Sequence, residues 1–253
     1  MSWKCSASSV TGRSHADRGE RGQDYSRAGT LQIGDHTFFI GLAADGAGST
    51  TDGGRGAEIA CETIWRCIID TLREEADFSG ISDDRVKGWV TASRDAVNTE
   101  SESAGKRIRD YACTLLGAIC GESWAVFFQI GDGAIVVKHD SGYETIFWPE
   151  QGEYANTTFF LSDEDCLEHL MIRQCDTSPA EIALFTDGLQ TLALSFSAKQ
   201  AHAGFFVPLF TALRHDPGNE FSAFSHQLTG FLKRSDVSAR SDDDKTLVLA
   251  VRD

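Results

Sequence analysis

The sequence predicts an α+β protein, a mostly antiparallel sheet system with helices on its outside. Two observations carry this. Short apolar runs of strand length come in groups, and amphipathic helical stripes come in pairs between them: strands, helix pair, strands, helix pair, strand. Tight turns at Gly121-Glu122 and Asp140-Ser141-Gly142 join neighbouring runs as hairpins. Helices that arrive in pairs do not make the strand–helix alternation of a doubly wound parallel sheet. The 253 residues suit one large domain with a sizeable core, and no internal repeat or low-complexity linker divides them.

In chain order, residues 3–10 read as a strand and the polar, Gly-rich stretch 11–23 as a loop. Residues 37–44 form the first strong strand run. After a loop over 46–54, apolar residues at Ala57, Ala60, Cys61, Ile64, Ile68 and Leu72 make a helical stripe. Val86, Trp89, Val90, Ser93, Ala96 and Val97 make a second, with a turn at 77–84 between them. Strands follow at 111–120, 124–130, 134–138 and 142–148. Residues 149–175 are irregular and read as a flap-like insertion over a site, although their apolar half can also form strands; Tyr154 and Asn156 are lid candidates. Residues 182–185 are another strand. Helices are expected at 198–214 and 220–233, separated by Pro217-Gly218. An acidic loop and a strand at 247–251 close the chain.

Composition removes several function classes. Hydrophobic residues at 41% and charged residues at 24% are ordinary for a globular protein. A net charge of −15 argues against nucleic acid and anionic membrane as partners, because phosphate backbones need clustered Lys and Arg. No apolar stretch is long enough to span a bilayer, and the start MSWKCSASSV lacks the apolar core of a signal peptide. Seven cysteines without a CxxC pair read as reduced thiols, mostly small buried fillers, which places the protein in a cytoplasm.

Acidic residues recur where strands stop. The run 38–44 ends at Asp45-Gly46, 126–130 at Gly131-Asp132-Gly133, and 182–185 at Thr186-Asp187-Gly188; Asp242-Asp243-Asp244 precedes the last strand. Neighbouring strands can bring these ends to one sheet edge. Two carboxylates about 4 Å apart repel by roughly 4 kcal/mol at an effective dielectric near 20. A divalent cation removes that penalty, and oxygen-only ligands favour Mg²⁺ or Mn²⁺. Glycine beside an Asp also lets a cation approach the backbone carbonyl. Taken singly, each Asp-Gly is a common turn dipeptide, and the acidic triplet is also what a solvated charge run looks like.

Rival chemistries fail on their own requirements. Cys67 to Arg73 has the C-x5-R spacing of cysteine phosphatases, but its bulky residues continue a helical stripe instead of a phosphate-cradling loop. The segment DGAGSTTDGGRG at 45–56 has no Lys for a P-loop, and Thr51 stands where a third dinucleotide-binding Gly is needed. No H-E-x-x-H occurs, and the seven histidines are scattered.

The ordered motifs resemble the type 2C (PPM) metal-dependent protein phosphatases over nearly the whole chain. The pieces are GQDY (22–25), FFIGLAADGAGS (38–49), ACTLLGAI (112–119), QIGDGAIV (129–136), ALFTDGLQ (183–190) and DDKTLVLA (243–250). The MSW start, GEYAN (152–156) and TDGLQTLAL (186–194) are similar to an atypical bacterial branch, the PphC type.

The resemblance implies a four-layer αββα sandwich, two mostly antiparallel sheets flanked by helix pairs, with 1–253 a single phosphatase-like domain. It implies hydrolysis of phosphoserine and phosphothreonine in proteins by a metal-activated water, with two Mn²⁺ or Mg²⁺ ions and a third, weaker one. Asp45, Asp187 and Asp243 map onto the catalytic metal ligands, with the Gly46 carbonyl beside Asp45. Asp24 maps onto the acidic position of the first motif, and Asp132 onto a ligand of the third ion. The chain departs from the pattern at four places. Gly19 replaces the phosphate-binding Arg, Gln23 a Glu, Ala47 the general-acid His, and Thr191 another third-ion carboxylate. His15, Arg18 and Arg21 are the candidates for phosphate contact. A Ser/Thr kinase is an expected partner beside the phosphoprotein substrate. The alternative is a catalytically weak or inactive phosphatase-like module that binds phosphoproteins or a partner kinase.

Overall fold

Alternating burial along the strands shows how the layers are stacked. The computed structural model describes residues 2–74, 79–149, 158–216 and 223–252. Its strands are β1 (Trp3–Val10), β2 (Tyr25–Ile33), β3 (His36–Ala44), β4 (Leu115–Cys120), β5 (Ala125–Ile130), β6 (Ala134–His139), β7 (Gly142–Thr145), β8 (Met171–Cys175), β9 (Glu181–Phe185), β10 (Leu194–Ser195), β11 (Gln200–Ala201) and β12 (Lys245–Arg252). Its α-helices are α1 (Arg13–Ala16), α2 (Gly53–Glu74), α3 (Asp83–Ser103), α4 (Gln190–Ala193), α5 (Ala203–His215), α6 (Ala223–Leu232) and α7 (Ser235–Ser238).

Two five-stranded sheets result, ordered β1-β12-β9-β6-β7 and β2-β3-β4-β5-β8, with every neighbouring pair antiparallel. Period-two alternation sends one set of side chains to the facing sheet and the other to helices. On β3, Phe39 and Ala43 meet Leu184 and Val248 of the other sheet in the central layer. Phe38, Ile40, Leu42 and Ala44 instead meet Ala57, Ile64 and Ile68 of α2 and Val90 and Val97 of α3. On β12, Leu247, Leu249 and Val251 pack against Phe206 and Phe210 of α5 and Leu228 of α6. The layers therefore run helix pair, sheet, sheet, helix pair, as the family resemblance implies.

Several boundaries differ from expectation. β2 was absent from the sequence reading because it is an edge strand without clean alternation; Ser26, Arg27, Gly29 and Gln32 carry no apolar signal. Gly34, at φ +58°, turns it into β3 through a two-residue hairpin. The expected strand 111–120 begins only at Leu115, since Ile108–Tyr111 is a 3-10 turn. The strand expected over 142–148 ends at Thr145. The polar loop 11–23 contains the short helix α1, and the irregular stretch 149–175 supplies β8 as an edge strand. Helix α5 starts at Ala203, later than 198, because the chain first makes the β10–β11 hairpin. Helix α3 starts at Asp83, inside the expected turn, where the Ser82 hydroxyl accepts the Arg85 N–H. Pro217-Gly218, Tyr154 and Asn156 lie outside the described residues.

Phe128 is fully buried between β5 and α3, its ring 6.4 Å from that of Trp89. Phe128→Ala should lower the stability of the fold by about 3–5 kcal/mol. Urea unfolding should show an earlier midpoint with unchanged slope.

Candidate metal centre

Strand polarity gathers the acidic residues. In the second sheet, the start of β2 pairs with the end of β3, the start of β4 lies beside them, and β5 ends next to Leu115. In the first sheet, β9 ends between the starts of β6 and β12. The two ends meet, because the Thr186 hydroxyl at the end of β9 donates to Asp24 Oδ2 at 2.8 Å, just before β2. Thr186 also accepts the Thr246 N–H at 3.1 Å, and so ties β9, β12 and β2 at one point.

Asp45 occupies the middle. Its carboxyl interacts with the side chains of Asp24 and Asp187 and feels the charge of Asp243. Its backbone is held on both sides by Thr114, whose hydroxyl accepts the Asp45 N–H at 3.0 Å and whose N–H donates to the Asp45 carbonyl at 2.8 Å. Gly46 bridges Cys113 and donates its N–H to the Gln23 carbonyl at 3.1 Å. Its own carbonyl therefore faces the Gln23–Asp24 side, since N–H and C=O of one strand residue share a side. A Cβ on Gly46 would meet the Gly53 carbonyl carbon at 2.3 Å, so only glycine lets α2 begin here. Asp187 opens the 3-10 turn after β9, and Asp132 lies close enough to raise its proton affinity. A Cβ on Gly188 would meet the Asp244 carbonyl at 1.9 Å, so this glycine lets the β9 and β12 loops touch.

The predicted residues thus divide. Asp24, Asp45, Asp187 and Asp243 come together, with Gly46 beside them and Asp132 on the Asp187 flank. Asp132 Oδ2 accepts from the Thr158 hydroxyl at 2.7 Å. His15 takes a different place from the one expected of a phosphate contact. It is buried, with Nδ1 3.1 Å from Asp244 Oδ1. Arg18 and Arg21 line an open cleft of about 850 Å³ that reaches Asp24.

In the sequence Asp244 stands undistinguished in a triplet that is either a solvated charge run or part of the acidic edge; in the fold it is a buried bracket. Its carboxylate accepts the Gly12 N–H at 2.6 Å and the Gln23 N–H at 2.5 Å, besides facing His15. Lys245 was missed altogether. It is buried, its Nζ donates to the Asp243 carbonyl at 2.7 Å, and it sits in the field of Asp24, Asp242, Asp243 and Asp244. Burial pushes its ammonium below the ordinary value, while those acids pull the other way. The available signal was a cation placed directly after three aspartates and before an apolar strand.

This donor set fits a hard divalent cation. Among the described residues, Asp24 Oδ1 and Asp187 Oδ1 are buried without a hydrogen-bond partner, which is costly for a carboxylate oxygen unless an ion takes the place of a donor. Proton affinities agree. Burial, with Asp244 nearby, pushes Asp24 up to about 7; burial, with Asp132 and Asp243, pushes Asp187 up to about 6. Burial and its three acidic neighbours hold Asp45 well above the usual range. Cys113, beside Asp45, is pushed up to about 12 by burial, so its thiol is no nucleophile.

Comparison with known proteins gives one consistent answer. The protein phosphatase 2C family matches residues 11–233. The chain is 33% identical over 252 residues to serine/threonine-protein phosphatase 3 of Escherichia coli (strain K12), covering 99% of each. The catalytic domain of the serine/threonine phosphatase PstP, solved with two manganese ions, superposes with a TM-score of 0.61 at 15% identity, covering 98% of this chain and 97% of that one. The Mycobacterium tuberculosis phosphatase PstP/Ppp gives 0.62 at 16% identity and 99% of each chain. At these identities the two structures speak for the fold.

The raised carboxyls set a pH dependence for protein stripped of divalent ions. An Asp whose folded value lies above its ordinary 3.8 binds a proton on folding at intermediate pH, so stability falls as pH rises toward 6 to 7. The metal-free chain should melt at a higher temperature at about pH 5 than at about pH 8, and saturating Mn²⁺ should remove the difference. Calorimetric scans with and without chelator check this.

Proposed function

The chain belongs to the protein phosphatase 2C family and is a metal-dependent protein serine/threonine phosphatase, and from that premise we propose that Asp45, Asp187 and Asp243 carry its catalytic centre. The observation that supports this reading is the convergence of Asp24, Asp187 and the exposed Asp243 on Asp45 at the common edge of the two sheets, with one buried oxygen of Asp24 and one of Asp187 unpartnered among the described residues. Asp24, Asp45, Gly46, Asp187 and Asp243 would hold two Mn²⁺ or Mg²⁺ ions, and Asp132 a third. When bound, such ions polarise phosphoryl oxygens, offset developing charge and lower the pKa of water.

The chain's own residues supply the remainder. Thr114 and Thr186 fix the Asp45 backbone and the Asp24 carboxylate, so the site is organised before substrate arrives. Ala47 carries no proton donor, so the leaving oxygen takes its proton from water. Of the arginines lining the cleft beside Asp24, Arg18 is paired with Glu20 at 2.7 Å, and Arg55 with Glu58 and Glu100 at 2.9 and 3.1 Å. Arg21 is exposed there and has no ion pair among the described residues, which favours it for phosphate contact. His15 serves instead to hold Asp244.

Phosphorylated proteins are the substrate class, and a Ser/Thr kinase is the matching source of phosphate. A cytoplasmic setting accords with seven free cysteines; no helix among the described residues is long and apolar enough to cross a membrane.

Phosphate release from a phosphothreonine peptide with Mn²⁺ tests the assignment. Asp45→Ala should lower kcat by a hundredfold or more, about the loss expected when a main electrostatic stabiliser goes. Equal rates in the two proteins would rule the site out. Arg21→Ala should raise KM about tenfold with kcat little changed, as for loss of one charge-assisted contact, and Arg18→Ala should do less.

A further inference from the structure

A second concavity lies beside Asp132, between the two sheets on their β7 and β8 side. It measures about 270 Å³ and is lined by Gln129, Asp132, Trp148, Phe159, Glu168 and Met171, among others. Pockets for whole small molecules run to about 300–1,000 Å³, so this one is sized for a side chain. Gln129 and Met171 are cross-strand partners on β5 and β8, which puts both on the same face of the second sheet. Phe159 and Met171 are each 38% exposed, and Phe159 stacks on His169 at 3.4 Å between ring centroids.

Carboxylates set the character of this pocket, with Asp132 and Glu168 in its lining. Gln129 is fully buried beneath it; its Nε2 donates to the Gly131 and Gly133 carbonyls at 2.9 and 2.8 Å, which fixes the amide. Glu168 is exposed and has no ion pair among the described residues. Asp163, Glu164 and Asp165 stand on the same turn as Glu168, and His169, the one basic group of the lining, is already 3.3 Å from Asp165. Among the described residues no Lys or Arg lines the pocket. Apolar and aromatic walls with a carboxylate at the rim match a long side chain that ends in a planar cation.

Resting on the phosphatase reading above, we propose that this pocket receives an arginine of the phosphoprotein, close in sequence to the phosphorylated residue. Its methylenes lie against Trp148, Phe159 and Met171, and its guanidinium meets the Glu168 carboxylate. Asp132 joins the pocket to the catalytic carboxylates, so occupant and phosphoryl group sit on one peptide. The enzyme thereby selects basic phosphopeptides.

The test uses the full chain with Mn²⁺ and phosphothreonine peptides that differ at one flanking position, carrying Arg, Leu or Glu in turn. At one or two positions Arg should exceed Leu about tenfold in kcat/KM, and Glu should fall below both. Glu168→Gln should shrink the Arg preference and Glu168→Lys should abolish it, while p-nitrophenyl phosphate is hydrolysed as before. Trp148→Ala should weaken Arg and Lys peptides together. Equal kcat/KM for Arg and Leu peptides, a preference for Leu, or an Arg preference that survives Glu168→Lys overturns the proposal. Calorimetric binding of the same peptides to metal-free protein separates the two readings. Arg over Leu in affinity here, with no turnover of the same peptides at saturating Mn²⁺, keeps the pocket assignment and sinks the phosphatase centre. Turnover without discrimination does the reverse.

Discussion

The functional end of this molecule follows from mutual repulsion among carboxylates crowded at one sheet edge, Asp24, Asp45 and Asp187 partly buried and Asp243 open to water. Asp24, Asp45, Asp187 and Asp243 come from four separate chain segments, yet strand polarity delivers them to one place. In a medium of lowered dielectric such a group is unfavourable alone, which is why the carboxyls hold protons so strongly without a cation. An oxygen-only donor set of this charge suits a hard divalent cation. Folding energy from three hydrophobic layers offsets the cost of keeping the acids together.

Positioning depends on small residues and hydroxyls as much as on acids. Thr114 grips the Asp45 peptide from both sides, and Thr186 links the two sheets through Asp24. Gly46 and Gly188 permit backbone contacts that any side chain would break. Asp244, although acidic, spends its oxygens on backbone N–H groups and His15, and so acts as a clasp between the first loop and the last strand.

Much of this was legible in the sequence. Apolar runs marked β3, β5, β6, β9 and β12, and the stripes from Ala57 and Val86 marked α2 and α3. The Asp-Gly endings located Asp45, Asp132 and Asp187 because a strand must turn where it leaves the sheet. What stayed hidden had weak local signals. β2 is an edge strand whose side chains rest partly on α2, with Arg27 over the Trp65 ring, so its pattern is mixed. His15 looked available for phosphate because spacing cannot tell an outward imidazole from one turned inward onto Asp244. Asp244 and Lys245 were obscured by their neighbours, since burial of a charged residue depends on partners distant in the chain.

Lys245 deserves a last consequence. Its ammonium, sealed against the Asp243 carbonyl, means the acidic edge possesses a resident counterion of its own. Small metal-organised modules remain unstructured until loaded. Here part of the charge on the acidic edge is balanced from within the chain itself.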